Sequence, residues 1–298
     1  MLSPYRRTGA DPPFVDPARG HGVGMEGYYW RFTDHEGGRV LIALCGVCEE
    51  SWAVVAVGAH PGGFLRWEVV DRSMVDFDRF GVRAGDVFVG DMTSLRVRLP
   101  GAEIDARITP EVPWPHRSLG ALGMAQLIPR LGQYWHPHLL RGRVSATTSL
   151  GPFDGAVYSE KNWGSVFAPD WWWGQASDVG EADCVAFAGG RLKVGAPSCV
   201  VLSVGGEVHR YSPPLAKVVT SVAPGRWRIT AGPLTLEAEA EPAEAHVLPV
   251  PVLHERRAEL RSHQHLAGRL RVEVRRNGRL KFSGESELAG LERGTPRR

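Results

Sequence analysis

Short runs rich in valine and aromatic residues recur along the chain, many of them alternating apolar and polar positions with a period of two. Glycine (36) and proline (22) punctuate these runs, as expected of antiparallel strands joined by turns. Strands are predicted in "GYYWRF", "RVLIALCGV", "SWAVVAVG", "FLRWEVV", "SLRVRL", "EIDARIT" and "GRVSATTSL", which precede the stretch "YSEKNWGSVFAPDWWWGQ" at 158–175. More follow in "DCVAFAG", "SCVVLSVG", "RWRITA", "LTLEAEAE", "RLRVEVRRNG" and "RLKFSGESEL". Gly205-Gly206 and Asn277-Gly278 are two-residue hairpin turns by type. Helical spacing shows only around "SLGALGMAQLIPRLG", which predicts one short helix or an irregular loop.

About eight strands on either side of the central stretch predict an all-β protein with few helices, built as two tandem antiparallel β-barrels or sandwiches packed together. The expected domains are a loosely ordered, proline-rich lead-in over 1–20, an N-terminal β-domain over 21–165 and a C-terminal β-domain over 166–298. Composition does not shift sharply, so the boundary is bracketed only between about 150 and 195.

Charge removes some classes of function. Lys and Arg total 35 against 33 Asp and Glu, so nothing selects a polyanion, and no nucleic-acid partner is expected. The longest apolar runs, Leu41–Val47 and Trp52–Ala59, fall far short of the roughly 20 residues that span a bilayer. The start lacks the apolar stretch of a secretion signal, and a cytoplasmic location is expected. Cys45 and Cys48 have CxxC spacing but sit in a strand run, and no second pair completes a zinc set, so buried structural cysteines are expected. His136/His138 and His263/His265 are spaced to share strand faces, yet no carboxylate pattern joins them. No metal is expected.

The central stretch concentrates the chemistry. Strand alternation puts Tyr158 and Glu160 on one face, and Ser159 and Lys161 on the other. It likewise groups Trp171, Trp173 and Gln175 against Trp172. An aromatic wall bearing one amide suits an apolar ligand with a polar end; equally, these tryptophans serve as core and domain interface. In "MEGYYWRF", Glu26, Tyr28, Trp30 and Phe32 share a face. Glu26 is then either a wet strand-end carboxylate or a desolvated one held neutral, as an acid catalyst requires.

"YSEKNWGSVFAPDWWWGQ" closely resembles the signature of the tocopherol cyclase family, and "MEGYYWRF" resembles that family's N-terminal strand. "SCVVLSVGGEVHRYSP", "PGRWRITA" and "SELAGLERG" follow in the expected order, so the likeness covers roughly residues 22 to 294. The resemblance implies two lipocalin-like barrels, related to carotenoid hydratases, and ring closure of a prenylated hydroquinone to a chromanol without a cofactor. That chemistry needs a neutral acid, π faces for a carbocation and a group to take the phenol proton. Glu160 and Glu26 are the candidate acids. Tyr28, Trp163, Trp171 and Trp173 supply faces, and Tyr158 lies beside Glu160. Lys161, Asn162 and Gln175 are candidates to orient hydroxyls; His136, His138 and Arg141 are candidates to line the cavity. "EKNWG" also has a structural reading, as an ion-pair lock with a capped turn. The implied partner is a hydrophobic small molecule, a prenylated quinol or other isoprenoid, with peripheral membrane contact to collect it. Two other readings stay open: a non-catalytic carrier of an isoprenoid, quinone or other lipid, and an isoprenoid hydratase.

Overall fold

The alternating runs form strands almost throughout. The computed structural model describes residues 16–48, 51–115, 119–127, 131–165, 168–192 and 195–294. Among them the helical turns are short 3-10 turns, Gly123–Leu127 and Pro242–Glu244. The first lies where helical spacing is seen in the sequence. Residues 1–15 of the expected lead-in lie outside the described set.

One antiparallel sheet contains β1 (Met25–Asp34), β2 (Arg39–Cys48), β3 (Trp52–His60), β4 (Phe64–Asp71), β5 (Ser73–Val75), β6 (Gly81–Ala84), β7 (Phe88–Asp91), β8 (Ser94–Leu99), β9 (Ala102–Pro113), β10 (Gln133–Thr148) and β11 (Gly151–Gly164). Its order is β4-β3-β2-β1-β11-β10-β9-β8-β7-β6-β5, so β1 and β11 meet in the middle. Glu26 stands opposite Trp163, Tyr28 opposite Lys161 and Trp30 opposite Ser159. The apolar face curls on itself into a barrel. Trp30 of β1 reaches Phe88 of β7 with ring centroids 5.6 Å apart, although β11, β10, β9 and β8 intervene in the sheet order.

The second sheet contains β12 (Asp170–Val179), β13 (Ala182–Arg191), β14 (Ser198–Val204), β15 (Glu207–Tyr211), β16 (Val218–Ala223), β17 (Arg226–Ala231), β18 (Leu234–Glu239), β19 (His246–Val252), β20 (Arg257–Arg276) and β21 (Arg279–Gly294). The order is β15-β14-β13-β12-β21-β20-β18-β17-β16, with β19 on β20. Trp172, Ala176, Val185, Phe187, Ile229, Leu236, Leu270 and Leu291 fill its core face. Both hairpin turns form where their sequences call for positive φ: 56° and 79° at Gly205 and Gly206, 53° and 76° at Asn277 and Asn277's neighbour Gly278.

The chain divides into two compact units. The first is Met1–Gly120, Gln126–Phe167 and Leu248–Leu260; the second is Ala121–Ala125, Ala168–Val247 and Arg261–Arg298. In the first, Leu253 and Ala258 pack against Met25, Cys48, Trp52 and Val54. Ala18 joins that unit's core, and the Gly20 N–H donates to the Asp76 carbonyl at 2.6 Å. Any Cβ at Gly20 would come 2.6 Å from Val75 Cγ2, so the close approach requires glycine there. All four cysteines are buried.

Candidate functional site

Alternation along β11 splits the "EKNWG" block between two faces. On the core face of the first sheet, Lys161 meets Glu26 across the β1–β11 pair, with Nζ 2.8 Å from Oε2. Lys161 also donates to the Arg19 carbonyl at 2.6 Å and lies 3.1 Å from His21 Nδ1. Its ammonium sits over the Tyr28 and Trp163 rings, 5.0 and 5.4 Å from their centroids. The other Glu26 oxygen accepts the peptide N–H groups of His21 and Gly22, both at 2.6 Å. Burial by itself would raise the Glu26 pKa, but Lys161 and His21 outweigh it and hold the carboxyl well below the usual range. Glu26 is therefore neither the wet strand-end carboxylate nor the neutral acid that the sequence left open: it is a buried, ion-paired carboxylate. Trp163 stacks on His21 at 4.1 Å and on Tyr134 at 5.6 Å, so its ring is occupied by protein partners.

His136 and His138 belong to this interior. His136 pairs in register with Lys161, and His138 stacks on Phe80 at 4.1 Å. Burial, with Lys161 nearby, lowers the His138 pKa to about 4, and burial also holds that of His136 well below the usual imidazole range. Both rings are neutral at physiological pH. Arg141 instead forms a surface ion pair with Glu111.

The opposite face of β11 carries Tyr158, Glu160 and Asn162. Glu160 Oε2 accepts the Trp135 indole N–H at 2.6 Å and the Tyr158 hydroxyl at 2.5 Å. Glu160 and Tyr158 are buried. Tyr29 stands opposite Glu160 in the β1 register and Arg31 opposite Tyr158. Arg31 is also buried; desolvation lowers its pKa, opposed by a hydrogen bond with Tyr29. Asn162 lies over Gly27, where a Cβ would come within 2.9 Å of its amide.

On the second sheet, Trp171, Trp173 and Gln175 share the face opposite the Trp172 core position, as alternation predicts. Their neighbours on β13 are Gly190, Ala188 and Ala186. On β21, Trp173 stands opposite Glu292. The Trp171 indole lies flat against Gly294, leaving no room for a side chain there, and donates its N–H to Glu292 Oε1 at 2.6 Å. Gln264 Nε2 donates to Glu292 Oε2 at 2.9 Å. Burial raises the Glu292 pKa, and hydrogen bonds from Trp171, Ser262 and Gln264 only partly offset it. Gln175 is fully buried; its amide nitrogen bonds Ser177 at 2.9 Å, while its oxygen has no partner among the described residues.

The family model described as tocopherol cyclase-like matches residues 138–295, more than half of the chain, including the Glu160 block and Glu292. The chain belongs to the tocopherol cyclase-like family. A protein assigned as AttH from Nitrosomonas europaea has the same fold, with TM-score 0.53 and 13% identity over 97% of this chain and 99% of that one. Kievitone hydratase from Nectria haematococca matches with TM-score 0.55 and 8% identity over 96% and 93%. No relative among curated proteins matches.

Within this tocopherol cyclase-like chain the predicted site residues fall into three groups. Glu26, Tyr28, Lys161 and Trp163 meet inside the first barrel; Tyr158, Glu160 and Asn162 lie on that sheet's other face; Trp171, Trp173 and Gln175 lie on the second sheet. Sequence reading missed Trp135, Arg31 and Glu292. The alternation of "ELAGLERG" does put Glu292 opposite the core residue Leu291, but only the pairing of β21 with β12 brings an indole to it. Among the described residues no group of three or more His, Cys, Asp or Glu side chains could hold a metal ion, and no helix is long and apolar enough to cross a membrane.

Proposed function

We propose that this tocopherol cyclase-like protein is an enzyme that adds an oxygen nucleophile to an isoprenoid double bond by acid catalysis, closing a prenylated hydroquinone to a chromanol. The observation that carries the reading is the buried Glu160–Tyr158 pair, fixed by the Trp135 indole N–H on the same carboxyl oxygen. A carboxyl and a phenol sharing a hydrogen bond away from water can pass a proton without building isolated charge. Family membership supports a cyclase or hydratase type of enzyme acting on a hydrophobic small molecule. In this reading Glu160 and Tyr158 handle protons at the reacting oxygen. Asn162 orients a substrate hydroxyl. Lys161, Tyr28 and Trp163 hold the strand that presents Glu160. Exposed Met74 and Phe77 are suited to contact the membrane that holds an isoprenoid substrate.

The test is turnover of a methylated hydroquinone bearing a geranyl chain, in deuterated buffer. Chromanol carrying one new deuterium next to the oxygen-bearing carbon is the expected product, and Glu160→Gln lowers its rate by about 100-fold or more with little change in melting temperature. A tertiary alcohol as product would make the protein a hydratase. Binding without turnover would make it a carrier.

A further inference from the structure

The second unit carries an apolar tip set among positive charges. We infer that this tip, formed by Met124, Leu215 and Val219 with Lys217, docks on the surface of an anionic lipid bilayer. The inference goes beyond the reaction proposed above and stands whichever way the chromanol test falls.

Two short segments build the tip. Between β15 and β16 the chain runs Ser212-Pro213-Pro214-Leu215-Ala216-Lys217. The Ala216 N–H donates to the Ser212 carbonyl at 2.9 Å, which closes a turn that leaves Leu215 79% exposed. Val218 packs on the barrel core, so strand alternation turns Val219 outward, where it is 50% exposed. The 3-10 turn that begins at Gly123 presses on this loop: Ser212 Oγ and the Arg210 guanidinium lie 2.8 and 3.2 Å from where a Gly123 Cβ would stand. Met124, the next residue, is 46% exposed. Single open apolar side chains are ordinary on a protein surface; here three project from two segments that abut, which marks a contact surface.

Charge selects the partner. Residues 208–236 contain Arg210, Lys217, Arg226 and Arg228 and no Asp or Glu, and residues 119–127 contain no charge at all. Glu237 pairs with Arg228 at 2.9 Å, and Glu239 stands opposite Arg226 in register. Lys217, two residues from Leu215, forms no ion pair among the described residues. An ammonium on a long apolar stem beside a protruding leucine matches the boundary of a bilayer. The stem and the leucine enter the acyl region while the ammonium meets phosphate oxygens.

Met74 and Phe77 of the first unit have different surroundings. Residues 71–86 hold Asp71, Asp76, Asp78 and Asp86 against Arg72, Arg79 and Arg83, so nothing there favours an anionic surface. The second-unit tip is the patch that reads lipid charge, and the two are separable by experiment.

The full chain is floated with vesicles of phosphatidylcholine alone or with about one third phosphatidylglycerol, at low and high salt. The expected result is that wild type binds the anionic vesicles about 10-fold or more tightly than the neutral ones, and that salt removes the difference. Lys217→Gln loses about 5-fold on anionic vesicles only, and Leu215→Ser loses about 10-fold on both kinds. Both variants melt with wild type, because the side chains they change are exposed. Met74→Ser with Phe77→Ser leaves the preference for anionic vesicles in place. A wild type with no such preference overturns the inference, as do folded Leu215→Ser and Lys217→Gln forms that float like wild type. A wild type that ignores vesicles but forms a dimer abolished by Leu215→Ser also overturns it, and assigns the tip to a second copy of the chain.

Discussion

Glu26 and Glu292 are the same side chain in two barrels, the first buried and the second partly buried, and the protein drives them in opposite directions. Burial pushes both pKa values up. At Glu26 an ammonium 2.8 Å away and two peptide N–H groups reverse that push; at Glu292 the partners are an indole, an amide and a hydroxyl, and burial prevails. The comparison teaches that burial alone does not set the charge of a carboxyl. The decisive variable is whether a full positive charge accompanies the carboxyl.

Removing that charge is the harshest way to break the contrast. Lys161→Met should cost about 3–5 kcal/mol, since it leaves a buried carboxylate without its partner. Adding Glu26→Gln should restore part of the loss, so the two substitutions are non-additive in denaturant melts. A cost below about 1 kcal/mol for Lys161→Met would mean that the pair does not hold Glu26 ionised.

His138 sharpens the rule from the basic side, because burial acts on it with no counter-charge among the described residues. Its pKa falls from 6.5 to about 4, so the unfolded chain binds its proton first on acidification. Stability conferred by the neutral ring is complete above pH 6.5 and declines as pH falls toward 4, by up to about 3 kcal/mol. His138→Gln should flatten that acid slope in melts taken across the same range.

The smallest expected effect belongs to Glu292. With its folded pKa raised, its favourable contribution is complete below the ordinary glutamate pKa and is lost as pH climbs through the folded value. Glu292→Gln should therefore gain stability relative to wild type as pH rises from about 4.5. The opposite trend in paired melts would mean that Glu292 is ionised like Glu26.

Much of the frame was legible in the residues because period-two alternation is local. It assigned Tyr28, Trp30 and Phe32 to the core face, Glu160 to the face opposite Lys161, and Trp171 and Trp173 to the face opposite Trp172. The protonation states were not legible, because they depend on partners far along the chain. Lys161 neutralises Glu26 from 135 residues away, and Trp171 reaches Glu292 across 121. For that reason "MEGYYWRF" shows which residues share a face but not the charge of Glu26. Arg31 reads from sequence as one more strand cation, and only the pairing of β1 with β11 puts it opposite Tyr158.

The return of Leu248–Leu260 to the first unit bears on how the protein is made. Until residue 260 has left the ribosome, Met25, Trp52 and Val54 lack the Leu253 and Ala258 that pack on them, and Gly46 lacks the Pro251 ring beside it. The amino-terminal barrel thus matures only after most of the carboxy-terminal one has been translated. A gene split at residue 167 should yield an aggregation-prone first half, rescued by co-translation with the second.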